Sequence, residues 1–168
     1  GFGELDAFTT GLRAGQLVIL AGRPGSGKTA FGMNAVVGAA KAGFPVYVLS
    51  AEMTSGELTE RVLSAEGGIN AQKLRSGDMN VVDWDRLSRA ASNLSELPVT
   101  IDDDGDATIS AVRARVRRWR STVAKDAEQA LVVVDYLQLL KPVEDDERRL
   151  ANREQEVARI SRGLKAPA

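Results

Sequence analysis

Short aliphatic runs alternate along this chain with longer stretches in which apolar positions recur every three or four residues. The short runs, Gln16–Ala21, Val46–Leu49, Val99–Ile101 and Leu131–Val134, read as strands. The first and last are almost continuously aliphatic, the pattern of parallel strands buried on both faces. The longer stretches read as helices. One spans Ala30–Ala42 and is stopped by Gly43 and Pro45. A second starts near Thr54, where Thr54 and Glu57 have the spacing of a capping box. A third runs from about Asn80 to before Pro98 and aligns Trp84, Leu87, Ala91 and Leu94. A fourth starts near Thr108 and aligns Ile109, Val112, Val116, Trp119 and Val123, and a fifth covers about 150–165. Residues 141–149 have no periodicity and read as a surface loop. This alternation predicts an α/β fold, a mostly parallel sheet flanked by helices.

Composition narrows the chemistry. The 168 residues suffice for one sizeable core and are too few for two ordinary domains. With 22 basic and 23 acidic residues, no overall field marks a nucleic-acid or membrane partner. The chain has no cysteine and no histidine, which excludes disulfides, Cys/His zinc sites, thiol nucleophiles and imidazole acid–base chemistry. Any catalysis therefore rests on carboxylates, hydroxyls, Lys, Arg and an oxygen-bound metal. No apolar run has the length of a membrane span and no signal peptide is visible, so a cytoplasmic protein with no membrane partner is expected. A start at Gly1 and an end at Leu164-Lys-Ala-Pro-Ala168 suggest a piece of a longer protein.

The strongest chemical signal lies between the first strand and the first helix. Gly22-Arg23-Pro24-Gly25-Ser26-Gly27-Lys28-Thr29 is a complete G-x-x-x-x-G-K-T phosphate-binding loop, followed by Ala30. Its glycines let successive N–H groups converge on phosphate oxygens, and a helix N-terminus beneath adds attraction for anions. Lys28 offers charge to the β/γ-phosphates, and the Thr29 hydroxyl is a ligand for Mg²⁺. The expected ligands are thus ATP and Mg²⁺. Hydrolysis needs two further groups. Asp135 closes the strand Leu131–Val134, the place for a metal-associated carboxylate. Glu52 follows the strand Val46–Leu49 and, if that strand is parallel to the first, emerges on the same sheet edge as Lys28 and Asp135. A carboxylate there is a candidate to accept the proton of attacking water.

Several segments occur in a telling order: Phe2-Gly-Glu-Leu-Asp6, Thr10-Gly-Leu12, the phosphate loop, Ser50-Ala-Glu-Met53, Ile101-Asp-Asp103, Asp135-Tyr-Leu-Gln-Leu139 and Ile160-Ser-Arg-Gly-Leu-Lys165. Together they resemble the RecA-like ATPase domain of DnaB-type replicative DNA helicases, over essentially the whole chain. The resemblance implies that Lys28 and Thr29 hold phosphates and Mg²⁺, that Glu52 activates water and that Asp135 supports the metal. It also implies single-stranded DNA as substrate, a homo-hexameric ring, and contacts with primase and a helicase loader. Family loops often read Ala-Arg-Pro-Ser-Met-Gly-Lys-Thr, whereas this one carries Gly22, Gly25 and Ser26. The sequence is expected to hold only the amino-terminal part of the domain. A γ-phosphate-sensing strand, a DNA-binding loop and the arginine finger of the family are not matched. In RecA-like sheets that sensing strand lies between the phosphate-loop strand and the Asp135 strand. Its absence predicts unpaired backbone and bare apolar surface. Alternatives are a RecA-like ATPase of recombination or clock type, and a truncated module that binds ATP without turnover.

Other features have blander readings. Arg113, Arg115, Arg117, Arg118 and Arg120 read as the solvated face of an amphipathic helix rather than a DNA surface. Trp84 and Trp119 read as core. Asp102, Asp103, Asp104 and Asp106 lack the spacing of a calcium loop and read as a strand-end turn. The 141–149 loop, with four acids and three bases, is a poor binder of DNA phosphates.

Overall fold

A computed structural model describes residues 2–104 and 108–135. The elements are α1 (Gly3–Thr9), α2 (Lys28–Lys41), β1 (Val46–Ser50), α3 (Ser55–Gly67), α4 (Ala71–Ser76), α5 (Val81–Ser95), β2 (Val99–Asp102), α6 (Ile109–Thr122) and β3 (Leu131–Asp135). The three strands form a parallel sheet in the order β2-β1-β3. The expected helix at 150–165, the 141–149 loop and Asp106 lie outside the described residues.

β1 is central, and each of its five residues is buried. Alternation along it divides the core. Val46 and Val48 pack with Met33, Val36 and Ala40 of α2 and Leu58 of α3 on one face. Tyr47 and Leu49 pack with Val112 and Trp119 of α6, and with Ala124, on the other. The result is a three-layer arrangement with helices on both faces of the sheet.

Local signals set the helix starts. Thr54 caps α3 in a capping box with Glu57, and Asn80 caps α5 in a second box with Asp83. Thr108 caps α6 by accepting the Ala111 N–H at 3.2 Å.

The structure corrects several expectations. Residues 16–21 form no strand, and Leu17, Val18, Ile19 and Leu20 are 38–60% exposed. A strand is made by a neighbour that takes up its N–H and C=O groups, and no described strand pairs with this segment. The fully buried strand is instead β1, whereas β3 lies at an edge with Val132 40% exposed. The buried side of α5 includes Asp83 and Ala90, while Trp84 is 54% exposed and therefore not core. Asp83 turns inward because its carboxylate accepts from the Asn80 backbone at 3.3 Å and pairs with Lys73 at 3.4 Å. In α6 Trp119 is core as expected, but Val123 is 64% exposed and Ala124 takes the buried place.

The arginines of α6 divide in role. Arg115 pairs with Asp102 and Asp104, and Arg120 donates to the carbonyls of Ala124 and Ala127, so these two hold the fold. Arg117 and Arg118 are exposed, as read.

Candidate nucleotide site

The loop 22–27 is exposed and enters α2 through Gly27, the N-cap residue. Gly25 and Gly27 adopt φ of 75° and 88°, the left-handed region that glycine occupies without strain. A turn within the loop is closed by the Ser26 N–H donating to the Arg23 carbonyl at 3.1 Å. At Gly22 an added Cβ would stand 2.5 Å from Ser26 Oγ, so a side chain there displaces that hydroxyl from the cradle.

Lys28 Nζ donates to the carbonyls of Gly22 and Arg23, both at 3.1 Å. The lysine thus folds back across the loop and closes it on itself. Thr29 is half-buried in the first turn of α2, and Ala30 beside it is exposed. One turn further, Phe31 stacks on Phe2, with ring centroids 4.3 Å apart and planes 12° from parallel. This contact ties the segment before α1 to the phosphate-loop helix. Sequence reading missed it, because a stack between residues 2 and 31 leaves no periodic mark.

The other two candidate groups meet at the carboxyl edge of the sheet. Ser50 lies opposite Asp135 in the parallel register, and the Ala51 N–H donates to the Asp135 carbonyl at 2.7 Å. Glu52 follows one residue later, exposed. Asp135 ends β3, as expected. The parallelism that aligns Glu52 with Asp135 is that of β1 with β3; residues 16–21 take no part in it.

The loop reaches this edge through α2. That helix packs against β1 and β3, and only Ala42–Pro45 separates its last turn from the start of β1. Its 14 residues span about 21 Å, against about 17 Å for a five-residue strand. A helix that ends at the amino end of β1 and packs back along it has its N-terminus, with Lys28 and Thr29, toward the carboxyl edge.

Glu52 sits in a four-residue connection, 51–54, held at both ends. The Ser50 hydroxyl accepts the Met53 N–H at 3.1 Å and donates to the Met53 carbonyl at 2.6 Å. Beyond Met53, the Ser55 N–H donates to Asp103 Oδ2 at 2.8 Å. That backbone hydrogen bond holds the Asp103 carboxyl below its ordinary range. The hydrogen bond from the Thr54 backbone does the same for Glu57. The aspartates 102–104 are therefore structural, in line with the strand-end reading: Asp102 accepts from Tyr47 and Arg115, and Asp104 from Arg115. Burial, with the hydrogen bond to Asp102 second, pushes the Tyr47 phenol well above its usual value. Among the described residues no cluster of three carboxylates forms a metal site.

A parallel sheet with flanking helices and a G-x-x-x-x-G-K-T loop opening a helix defines a phosphate-loop α/β protein. The family model for the DnaB-like helicase C-terminal domain matches residues 1–168, and the chain belongs to that family. It is 42% identical over its whole length to a replicative DNA helicase DnaB of Nostoc sp. and 41% identical to that of Geobacillus stearothermophilus. It spans 18% and 36% of the length of those two relatives. Among solved structures, one described as an ATPase domain superposes with a TM-score of 0.87 at 31% identity, covering 98% of this chain and 57% of that one. A DnaB-like replicative helicase described with its interactions with primase gives the same TM-score and identity, with 38% of its chain covered. The departure from the usual family loop at Gly22, Gly25 and Ser26 thus sits within a family match that runs end to end.

Proposed function

We propose that this chain is the nucleotide-binding part of the motor domain of a replicative DNA helicase, which couples ATP hydrolysis to movement along single-stranded DNA and duplex unwinding. The observation that supports the reading is a phosphate loop opening α2, which packs on β1 and β3, with Glu52 and Asp135 at the carboxyl ends of those two strands. Membership in the helicase family supports DNA as the polymer substrate and favours this reading over the recombination and clock alternatives.

The residues present fit ATP with Mg²⁺. The exposed loop with two left-handed glycines offers converging amides, and Thr29 and Asp135 supply the hard oxygen donors that Mg²⁺ takes. Gly22, Arg23, Pro24, Gly25, Ser26 and Gly27 form the cradle, and Ala30 adds an N–H at the helix start. Lys28 releases the Gly22 and Arg23 carbonyls and turns its ammonium to the β/γ-phosphate oxygens. Bound Mg²⁺ would neutralise charge on those oxygens. Glu52 orients a water in line with the γ-phosphorus and accepts its proton as the bond to the β-phosphate oxygen breaks, leaving ADP and phosphate.

The working assembly on this reading is a homo-hexamer around single-stranded DNA, with primase and a loader as partners, in the cytoplasm at the replication fork. The structural neighbour that is a DnaB-like replicative helicase described with its interactions with primase supports the primase contact. Among the described residues no helix is long and apolar enough to cross a membrane. The decisive experiment is Glu52→Gln in the full-length chain, with ATP binding and ATP turnover measured side by side. Binding should persist and turnover should vanish; turnover at the wild-type rate would remove Glu52 as the base.

One observation favours a narrower reading for the 168 residues by themselves. Residues 16–21, directly before the loop, are outside the sheet and exposed, which leaves the loop held by α2 alone. Such a site binds nucleotide without turnover, and DNA-stimulated ATPase activity that appears only in a longer chain would support this.

A further inference from the structure

Among the described residues the Glu52 side chain makes no hydrogen bond or ion pair. Its aim is therefore set by its backbone, and the backbone of residues 51–55 is held at three points. On the strand side, the Ala51 N–H extends the ladder to the Asp135 carbonyl at 2.7 Å. Across the connection, the Ser50 hydroxyl bonds both the N–H and the carbonyl of Met53, closing a small ring around Ala51 and Glu52. Ser50 is 1% exposed, one of two polar residues in the described core, so both halves of that hydroxyl's bonding are spent on this one residue. On the helix side, the start of α3 is pinned to the end of β2 by the Asp103 carboxylate on the Ser55 N–H at 2.8 Å. The Met53 side chain itself packs against the cluster formed by Val46, Val48 and Leu58.

Such an arrangement suits a carboxylate that has to meet a water without being tied up by a partner of its own. A side-chain hydrogen bond to Glu52 would hold it still but would also occupy an oxygen that the water proton needs. Fixing the main chain on both sides leaves both oxygens free. Ser50 and Asp103 reach the connection from different strands, so neither alone determines where Glu52 points.

We propose that Ser50 and Asp103 are positioning residues for ATP hydrolysis, which together hold the 51–54 connection so that the Glu52 carboxylate faces the attacking water. The inference rests on the reading of Glu52 as the proton acceptor. Neither residue belongs to the phosphate loop, and both bond only the connection and the start of α3 in this role, so loss of either should lower kcat and leave ATP binding intact.

The test compares Ser50→Ala, Asp103→Ala, Asp103→Asn and Glu52→Gln in the full-length chain. Steady-state ATPase activity is measured with single-stranded DNA present, and thermal melts accompany it. Both alanine variants should lose about 10- to 100-fold in kcat, the cost of a misplaced catalytic group, with KM for ATP unchanged. Asp103→Asn keeps an oxygen acceptor for the Ser55 N–H and should restore most of kcat, which a mere loss of charge would not. If Ser50→Ala does not fold, the Asp103 pair decides the matter, because that exposed side chain is removed without opening the core. Wild-type kcat in the alanine variants, or a loss that falls on KM, would overturn the positioning role while Glu52→Gln still abolishes turnover. Full turnover in Glu52→Gln would instead overturn the reading of Glu52, and this inference with it.

Discussion

Replacing Lys28 with alanine tests the site at its most explicit interaction. In the structure the ammonium donates to two loop carbonyls, Gly22 and Arg23, each at 3.1 Å. Both belong to an exposed loop, so in the variant they return to water without a buried, unpaired group being left behind. Bound phosphate would exchange those two ammonium–carbonyl contacts for contacts between opposite charges. A charge-assisted hydrogen bond contributes about 1.5–3 kcal/mol. With such a contact to phosphate lost and the loop carbonyls returned to water, Lys28→Ala should weaken nucleotide binding by about that amount. At about 1.4 kcal/mol per tenfold, the loss is about 10- to 150-fold. Calorimetry with ATP and a non-hydrolysable analogue, with and without Mg²⁺, measures this directly. In the wild-type chain binding should depend on Mg²⁺. An unchanged Kd in the variant would refute the reasoning, because the lysine would then belong to its own loop and not to the ligand.

Three further outcomes follow from the same structure. Thr54→Ala removes the acceptor for the Glu57 N–H at 3.2 Å and should cost about 1 kcal/mol in urea unfolding; no change would mean that α3 starts without its cap. Glu57 and Asp103 have folded-state pKa values below their unfolded ones, so their contribution to stability is full above about pH 5 and is lost as pH falls through the lowered values. A urea midpoint that declines below about pH 5, with a shallower decline in Asp103→Ala, is the expected record, and identical acid limbs would contradict it. The exposed run Leu17–Leu20 predicts that the 168-residue chain binds a hydrophobic dye and melts below about 50 °C, and a cooperative transition above that would refute this.

Much of this protein was legible residue by residue. The caps at Thr54, Asn80 and Thr108 were found where the sequence places them, because a cap is a contact between residues three apart and needs nothing from the rest of the fold. The phosphate loop was legible for the same reason: its glycines and lysine act within one turn of chain. The ends of β1 and β3 could be read as short aliphatic runs, and with them the places of Glu52 and Asp135.

What the linear pattern did not carry was which partner each element meets. Gln16–Ala21 has the composition of a buried strand, yet pairing is a property of two segments, and no described residue pairs with it. Periodicity predicted an amphipathic α5 but turned its buried side by about one residue. Asp83, tied to Asn80 and Lys73, faces inward where Trp84 had been expected. Asp103 read as one acid in a turn, and only the approach of β2 to the start of α3 makes it a clamp beside Glu52. Local hydrogen bonding and glycine freedom are written in neighbouring residues, so the sequence alone determined the starts of α3, α5 and α6 and the phosphate loop, while the short helices α1 and α4 left no periodic mark. Strand partners, buried faces and the geometry around Glu52 depend on contacts tens of residues apart, and only the tertiary structure decided them.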